Sequence, residues 1–259
     1  MAEISWLALS ASLVLVAVAI GLSFVRGLAL ERSIAWAAGR AAIQLLAVGV
    51  VLAWLLDPGR SLGWSWCWVA VMLVSAAVIV RARAREIPGV LGMAVVAFSA
   101  ALAISLGVLF GFGIFELEPR TLIPLAGLTI GNAMTATVLV ARRIYDGIRE
   151  RQAEVEARLA LGQRSADASR PYVRQALRTA LVPQVESTKA VGLVFLPGAM
   201  TGLILAGAEP LEAVKVQLAV MYLVLGATAT TTAVIAMGVQ RRLFTRDHRL
   251  VRMPRAPDG

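Results

Sequence analysis

The sequence is poor in the side chains on which most enzymes and metal sites depend. It contains one histidine, His248, and one cysteine, Cys67, among 259 residues. A single cysteine excludes an intrachain disulfide framework, and one histidine is too few for a Cys/His metal cluster of recognisable spacing. No G-x-S-x-G occurs, and a Ser/His/Asp triad would have to recruit His248 from a polar tail. We therefore expect no catalytic centre and no resident cofactor in this chain, and no metal ligands are assigned.

Charged residues are also scarce, at 16% of the chain, whereas hydrophobic residues reach 59% and the mean hydropathy is +0.77. Soluble globular domains contain about 45–50% apolar residues. The motif G-x-x-x-x-G-K-[ST] does not occur, which excludes ATP hydrolysis by the P-loop route. The composition predicts an integral membrane protein that is not itself an ATPase.

Seven apolar stretches are each close to the roughly 20 residues that cross about 30 Å of hydrocarbon. Their uniform Ala/Leu/Val runs lack the period-two alternation of membrane strands, and a helix satisfies its own backbone polar groups in lipid. We therefore predict an all-α, polytopic membrane protein. The predicted spans are 4–22, 34–56, 62–80, 90–112, 122–141, 190–208 and 216–237.

Basic residues are distributed unevenly between the loops, which predicts the orientation of the chain. With the N-terminus outside, only Arg60, Arg120 and Lys215 fall on the outer side, and all other loop arginines and lysines are cytoplasmic. We predict an outer N-terminus that is retained as the first span, and a cytoplasmic C-terminus. Because the basic residues cluster at inner membrane boundaries, the net charge of +9 indicates contact with anionic membrane lipid and not with nucleic acid. Cys67, among tryptophans, is assigned to an interfacial aromatic belt.

The longest polar segment, residues 142–187, contains two helix-forming stretches. Glu154 and Arg158 have the favourable i, i+4 spacing in the first, and Gly162 is expected to end it. The second is amphipathic, and Pro183 is expected to break it near the next span. Such a helix either lies on membrane lipid or packs on a partner. Its apolar face comprises Val173, Leu177, Ala180 and Leu181, and its basic face Arg170, Arg174 and Arg178.

The first stretch contains the run E-A-R-L-A-L-G, from Glu156 to Gly162. It resembles the cytoplasmic docking loop of ABC-transporter permeases, in which E-A-A, three residues and Gly form a short helix that fits a cleft of the ATPase subunit. Small residues permit close approach of the backbone, and an acidic residue can pair with a basic one. Here Arg158 replaces the second alanine, and the Leu/Ile-x-Leu-Pro that usually follows is absent at its ordinary distance. The resemblance implies that Glu156, Ala157 and Gly162 couple the chain to an ATPase.

Three ungapped runs, within residues 31–244, resemble the FetB-type iron-export ABC permease family. They are G-R-A-A-I-Q-L-L-A-V-G at 39–49, I-P-L-A-G-L-T-I-G-N-A-M-T-A at 123–136 and L-V-P-Q-V-E-S-T-K-A-V-G-L-V-F-L-P-G-A-M-T-G-L-I-L-A-G at 181–207. The resemblance implies a transmembrane permease domain at 1–244 and a basic cytoplasmic tail at 245–259. It also implies a bacterial inner-membrane exporter of iron or another metal ion, working as a homodimer with a separately encoded ATPase. Plant relatives are linked to aluminium tolerance and UDP-glucose, so the substrate, a metal ion or a small solute, stays open.

Polar residues within spans are costly in lipid and usually face a bundle interior or a cavity. Asn132 and Thr135 share a helix face and are expected to face a central cavity, although Asn and Thr also bond across helices and Met also fills gaps. Amide and hydroxyl oxygens suit a hard cation, and a thioether suits a softer one. The candidate pathway residues are Arg40, Gln44, Asn132, Met134, Thr135, Glu186, Lys189 and Met200.

Two other functions fit the same features. A secondary transporter would use Glu186 or Arg40 as its coupling group. A membrane scaffold without transport would use the basic segment for anchoring or recruitment only. For the ABC permease, we expect isologous dimers formed through the small-residue faces of the later spans.

Overall fold

The computed structural model describes residues 10–57, 59–192, 196–245 and 247–251. All named elements in these residues are α-helices, which confirms the predicted all-α class. The helices are α1 (Leu13–Val25), α2 (Glu31–Leu55), α3 (Leu62–Arg83), α4 (Val90–Gly111), α5 (Pro119–Glu150), α6 (Gln152–Ala160), α7 (Ser165–Ala190), α8 (Gly198–Leu205) and α9 (Pro210–Leu243).

The first of two compact units spans Met1–Ser61, and its helices α1 and α2 pack as a hairpin. The turn between them contains Gly27 and Ala29, both with positive φ, at 62° and 54°. The buried hydroxyl of Ser23 donates a hydrogen bond to the Glu31 carboxylate at 2.7 Å. It also accepts one from the backbone N–H of Leu30 at 3.1 Å. One serine therefore fixes the end of α1 to the start of α2.

The second unit, Leu62–Gly259, is built around α5 and α9, which pack against each other and both contact α4 and α7. The fully buried Phe98 of α4, Ile144 of α5 and Ile235 of α9 belong to its hydrophobic core. With 32 and 34 residues, α5 and α9 are longer than the roughly 20 residues that cross a bilayer. Both helices are therefore long enough to extend beyond the hydrocarbon, and α5 continues into the polar segment 142–187.

Within the described ranges, five helices are long and apolar enough to cross a membrane, namely α2, α3, α4, α5 and α9. The chain is therefore a multi-pass membrane protein, although the count of seven spans is not confirmed. The first predicted span, 4–22, lies partly outside the described residues, and its described helix α1 has 13 residues. Helices α3 and α4 begin at the predicted residues 62 and 90.

The predicted sixth span, 190–208, is not one helix among the described residues. Helix α7 ends at Ala190, and the next helix, α8, covers only the eight residues Gly198–Leu205. Eight residues rise about 12 Å, well under the 30 Å of the hydrocarbon. Pro197 at the N-cap and Gly207, with φ of 95°, delimit α8. Mean hydropathy takes no account of these helix-breaking residues, and the predicted sixth span is not confirmed among the described residues.

The predicted break at Pro183 is also wrong, because α7 continues through Pro183 to Ala190. An internal proline removes one backbone hydrogen bond and kinks a helix. The preceding turns of α7 are held by the buried Ala176 and Ala180. Tertiary packing on that side supports the helix up to the proline, so that one lost hydrogen bond does not end it.

Candidate coupling segment and transport pathway

Helix α6 lies between the two long helices of the predicted cytoplasmic segment and is joined to α5 by a single residue. That residue, Arg151, has φ −116° and ψ 34°, outside the helical range, so the chain bends there. Helix α6 then runs for nine residues, Gln152–Ala160. The E-A-R-L-A-L-G run therefore forms a short helix and the turn that follows it, as its pattern predicts.

Gly162 ends this helix in a Schellman motif. Its backbone N–H donates to the carbonyl of Leu159 at 2.9 Å, and the N–H of Gln163 donates to the carbonyl of Arg158 at 3.1 Å. The motif needs a left-handed residue at this position, and Gly162 has φ of 84°. The glycine is thus required by the backbone of the turn itself, and the space around it is open.

The two sides of α6 differ in what they contact. Val155 is fully buried, and Leu159 packs partly buried against the core. The outer side exposes Glu156 and Ala157, two of the predicted coupling residues. Helix α6 is therefore anchored through its inner side and free to meet another surface through its outer side.

Leu161, between α6 and Gly162, is the most exposed large hydrophobic residue among those described, with 83% of its surface accessible. Fully solvated aliphatic side chains outside a membrane are unfavourable, at roughly 25 cal/mol per Å² of apolar surface. Sequence patterns do not single out Leu161, because an apolar residue at the end of a short helix is ordinarily assigned to the core.

Charged groups on α6 form a small network. The carboxylate of Glu154 accepts a hydrogen bond from Arg158 at 2.6 Å, which confirms the predicted i, i+4 pair, and lies 3.7 Å from Arg151. The neighbouring Tyr172 hydroxyl and the Arg158 guanidinium lower the pKa of Glu154 below its ordinary 4.5. Glu156 accepts a hydrogen bond from Gln152 at 2.7 Å and keeps its carboxylate exposed.

Helix α7 is seated on the end of α5 by a close contact of Tyr172. A Cβ atom built on Gly147 would lie 3.8 Å from the Tyr172 ring, an ordinary van der Waals distance, so the ring packs directly against this part of α5. The pKa of the Tyr172 hydroxyl is raised above its ordinary 10.0, mainly by burial and secondly by the nearby carboxylate of Glu154. Helices α5, α6 and α7 thus meet around one tyrosine.

The residues after α9 contact the start of α7. Phe244 pairs with Leu250, which turns the chain back, and His248 at the tip lies with Nδ1 2.9 Å from the Ser165 hydroxyl. One turn further along α7, the Ser169 hydroxyl accepts a hydrogen bond from the Gln240 side chain at 2.7 Å. No sequence signal marks these contacts, because the partners are 71 and 83 residues apart.

The predicted pathway residues of α5 lie on its outer side. Asn132 and Thr135 are exposed, and the Asn132 amide donates to the carbonyl of Leu128 at 2.9 Å. Met134 is half-buried and packs against the core. Within one chain, these two polar residues therefore face outward and not into the packed interior.

The remaining candidates are dispersed. Arg40 and Gln44 are exposed on α2, in the first unit. Glu186 and Lys189 form an exposed ion pair at 2.9 Å near the end of α7, and Met200 is half-buried in α8. Among the described residues, no group of three His, Cys, Asp or Glu side chains could hold a metal ion.

The matching family model covers residues 6–244, almost the whole helical body just described, and is that of the uncharacterised protein family UPF0014. The chain belongs to the UPF0014 family. No solved structure matches it.

Individual members of the UPF0014 family are similar along most of their length. The probable iron export permease protein FetB of Escherichia coli is 35% identical over 243 residues, covering 94% of this chain and 93% of FetB. The UPF0014 membrane protein STAR2 of Oryza sativa is 36% identical over 222 residues, covering 86% and 78%. The protein ALUMINUM SENSITIVE 3 of Arabidopsis thaliana is 34% identical over 241 residues, covering 93% and 88%. The resemblance to the FetB-type family is therefore confirmed.

Proposed function

We propose that this chain is the permease subunit of an ABC exporter, that a separately encoded ATPase drives it, and that it carries iron or another metal ion. The observation that carries the proposal is the free outer side of α6, with Glu156, Ala157 and Leu161 exposed beside the turn at Gly162. A short helix that is anchored on one side and open on the other fits a cleft in a partner. The name of the relative FetB, a probable iron export permease, supports export and iron.

The coupling segment is connected to the membrane helices in a way that suits force transmission. Only Arg151 separates α6 from α5, and the side chain of Val155 is buried in the core of the second unit, to which α6 belongs. A partner that moves α6 would therefore move the end of α5. Tyr172 would pass the same displacement to α7, because its ring lies against Gly147.

The outward position of Asn132 and Thr135 supports a homodimer. Polar side chains on a membrane helix are costly against lipid, even when one of their hydrogen bonds is made within the helix. A second copy that covers this face of α5 would remove both residues from lipid. Asn132 and Thr135 of the two copies would then line one transport pathway between them. Isologous symmetry would follow, since the same face serves both copies.

Orientation follows from the ends of the long helices. Arg142, Arg143 and Arg149 lie in the last turns of α5, and Arg241 and Arg242 in the last turn of α9. By the positive-inside rule these ends, together with α6, are expected in the cytoplasm, where an ATPase would be. The N-terminus would lie outside.

Copurification tests the docking proposal. In Leu161→Asn the exposed aliphatic anchor is lost without a change of charge, and we expect recovery of the cognate ATPase with the membrane chain to fall about tenfold, as for a central interface residue. Leu211→Asn is the matched control, because Leu211 is also exposed, at 61%, but lies at the start of α9, on the predicted outer side. Undiminished ATPase recovery with Leu161→Asn, at normal membrane insertion, would refute docking through this surface.

A further inference from the structure

Helix α7 carries a row of three arginines on the side that does not pack. Its inner side is fixed by the buried Ala168, Tyr172, Ala176 and Ala180. Arg170, Arg174 and Arg178 follow one another at intervals of four residues and are all exposed. Spacing of four residues places their side chains on neighbouring turns of one face.

These guanidinium groups have no partner among the residues that the structure describes. Among the described residues, none of the three forms an ion pair or a hydrogen bond, although exposed Glu–Arg and Glu–Lys pairs occur on α6 and elsewhere on α7. Asp167 borders the same surface but makes no ion pair with them. Three unpaired guanidinium groups in a row are suited to a phosphate, whose oxygens match the planar fork of donors.

An apolar channel runs beside the arginine row. It lies between α7 and Gln240 of α9, has a volume of about 650 Å³, and contains no aromatic residue in its lining. Together with the arginines we call this channel the α7 groove. Its aliphatic lining consists of Val173, Leu177, Leu181, Val182 and Val185.

The polarity of the α7 groove changes along the helix. The arginines occupy its first part, beside the ends of α5 and α9, and the exposed Val182 and Val185 follow beyond Arg178. From Arg170 to Val185 the helix rises about 22 Å. Half of a bilayer comprises about 15 Å of hydrocarbon and a further 5–7 Å of headgroup region. The groove therefore has the overall length of one leaflet, and its charged part precedes its apolar part, as the headgroup of a phospholipid precedes its acyl chains.

We propose that the α7 groove binds one anionic phospholipid of the cytoplasmic leaflet. Its phosphate would contact Arg174 and Arg178, and an acyl chain would lie over Leu181, Val182 and Val185. A protein partner fits this surface less well, since the groove offers a charged head followed by an aliphatic channel and no aromatic anchor. The inference rests on the membrane location of the chain and on the orientation proposed above, and not on the proposed transport activity.

Lipid retention by the purified full chain, without any ATPase, tests the proposal. The chain is incubated in detergent with equal amounts of dioleoyl phosphatidylglycerol and dioleoyl phosphatidylcholine, and the bound lipid is counted by native mass spectrometry. We expect the unmodified chain to retain phosphatidylglycerol about tenfold more than phosphatidylcholine. In R170Q/R174Q/R178Q this preference should disappear, whereas R170K/R174K/R178K should retain part of it.

Two further variants separate a built groove from general charge. R81Q/R83Q/R85Q removes two exposed arginines from the last turn of α3 and a third just after it, and should keep the preference. V182N/V185N preserves all charges but makes the channel polar, and it should reduce retention of both lipids. If R81Q/R83Q/R85Q lost the preference for phosphatidylglycerol as fully as R170Q/R174Q/R178Q, the proposal would be overturned, because net charge alone would then explain the binding. Full retention of phosphatidylglycerol in R170Q/R174Q/R178Q would also overturn the proposal. Displacement of the bound phosphatidylglycerol by an added ATPase would overturn it as well, because the groove would then be a surface for the protein partner.

Discussion

The Nδ1 atom of His248 accepts a hydrogen bond from the backbone N–H of Ser165 at 3.4 Å and lies 2.9 Å from the serine hydroxyl. The chain after α9 thereby caps the start of α7, which directly follows the proposed coupling turn. Unpaired N–H groups at a helix start cost free energy, and a cap typically contributes about 0.5–2 kcal/mol.

A double-mutant cycle with His248→Ala and Ser165→Ala tests this cap. We expect each single variant to raise hydrogen exchange of the first amides of α7 about fivefold, since each removes the contact between the Ser165 hydroxyl and the imidazole that holds the ring over the helix start. The double variant should then add little to either single change. Additive effects of the two substitutions would show that the two side chains do not interact.

Gly162→Ala should strain the turn that ends α6. A residue with a Cβ pays about 1 kcal/mol or more in the left-handed region, and Gly162 has φ of 84°. We expect faster hydrogen exchange across α6 and weaker ATPase recovery, because the turn that presents Leu161 loses its fixed geometry. Gln163→Ala, which changes the next residue without a positive φ, is the control. Unchanged exchange in Gly162→Ala would contradict the assigned Schellman motif.

Glu154 should make the cytoplasmic junction sensitive to acid. Its folded-state pKa lies below 4.5 because the Tyr172 hydroxyl and Arg158 favour the ionised carboxylate. That contribution is present above the unfolded pKa, near 4.5, and is lost as the pH falls through the folded value. The thermal midpoint of Glu154→Gln should therefore fall less between pH 5 and pH 3 than that of the unmodified chain. If the thermal midpoints of the two proteins fell equally as the pH is lowered, this role of Glu154 would be ruled out.

Asn132→Leu tests the pathway face of α5. We expect metal-stimulated ATP hydrolysis by the reconstituted complex to fall more than basal hydrolysis, because the coupling segment is unchanged while a polar contact of the substrate is lost. Thr230→Val is the control, since Thr230 also bonds a carbonyl of its own helix, that of Gly226 at 2.8 Å. Equal loss of both activities would return Asn132 to a purely structural role.

Sequence patterns predicted the membrane helices well where apolar runs end at polar loops. Helices α3 and α4 start where predicted, at Leu62 and Val90. The predicted sixth span is not confirmed, because hydropathy averages over Pro197 and Gly207, which delimit the short helix α8. Conversely, local rules predicted a break at Pro183, but packing through Ala176 and Ala180 supports α7 before it.

Sequence patterns likewise predicted some features of the candidate site and not others. The pattern at Glu156–Gly162 identified a short helix and its terminating glycine, because both depend on neighbouring residues. The exposure of Leu161 and the meeting of Tyr172 with Gly147 could not be predicted, since each depends on which distant helices surround α6 and α7. Asn132 was identified by its polarity, but only the structure places it on the outward face of α5.

Site-directed cross-linking tests the central claim most directly. Because Cys67 is the only cysteine, Cys67→Ser followed by Leu161→Cys leaves one thiol at the proposed docking point. In native membranes that hold the cognate ATPase, a short thiol-reactive cross-linker should join position 161 to the ATPase, and Leu211→Cys in the same background should give no such product. If position 161 gives no ATPase adduct while the thiol reacts readily with a water-soluble reagent, α6 is not the coupling element.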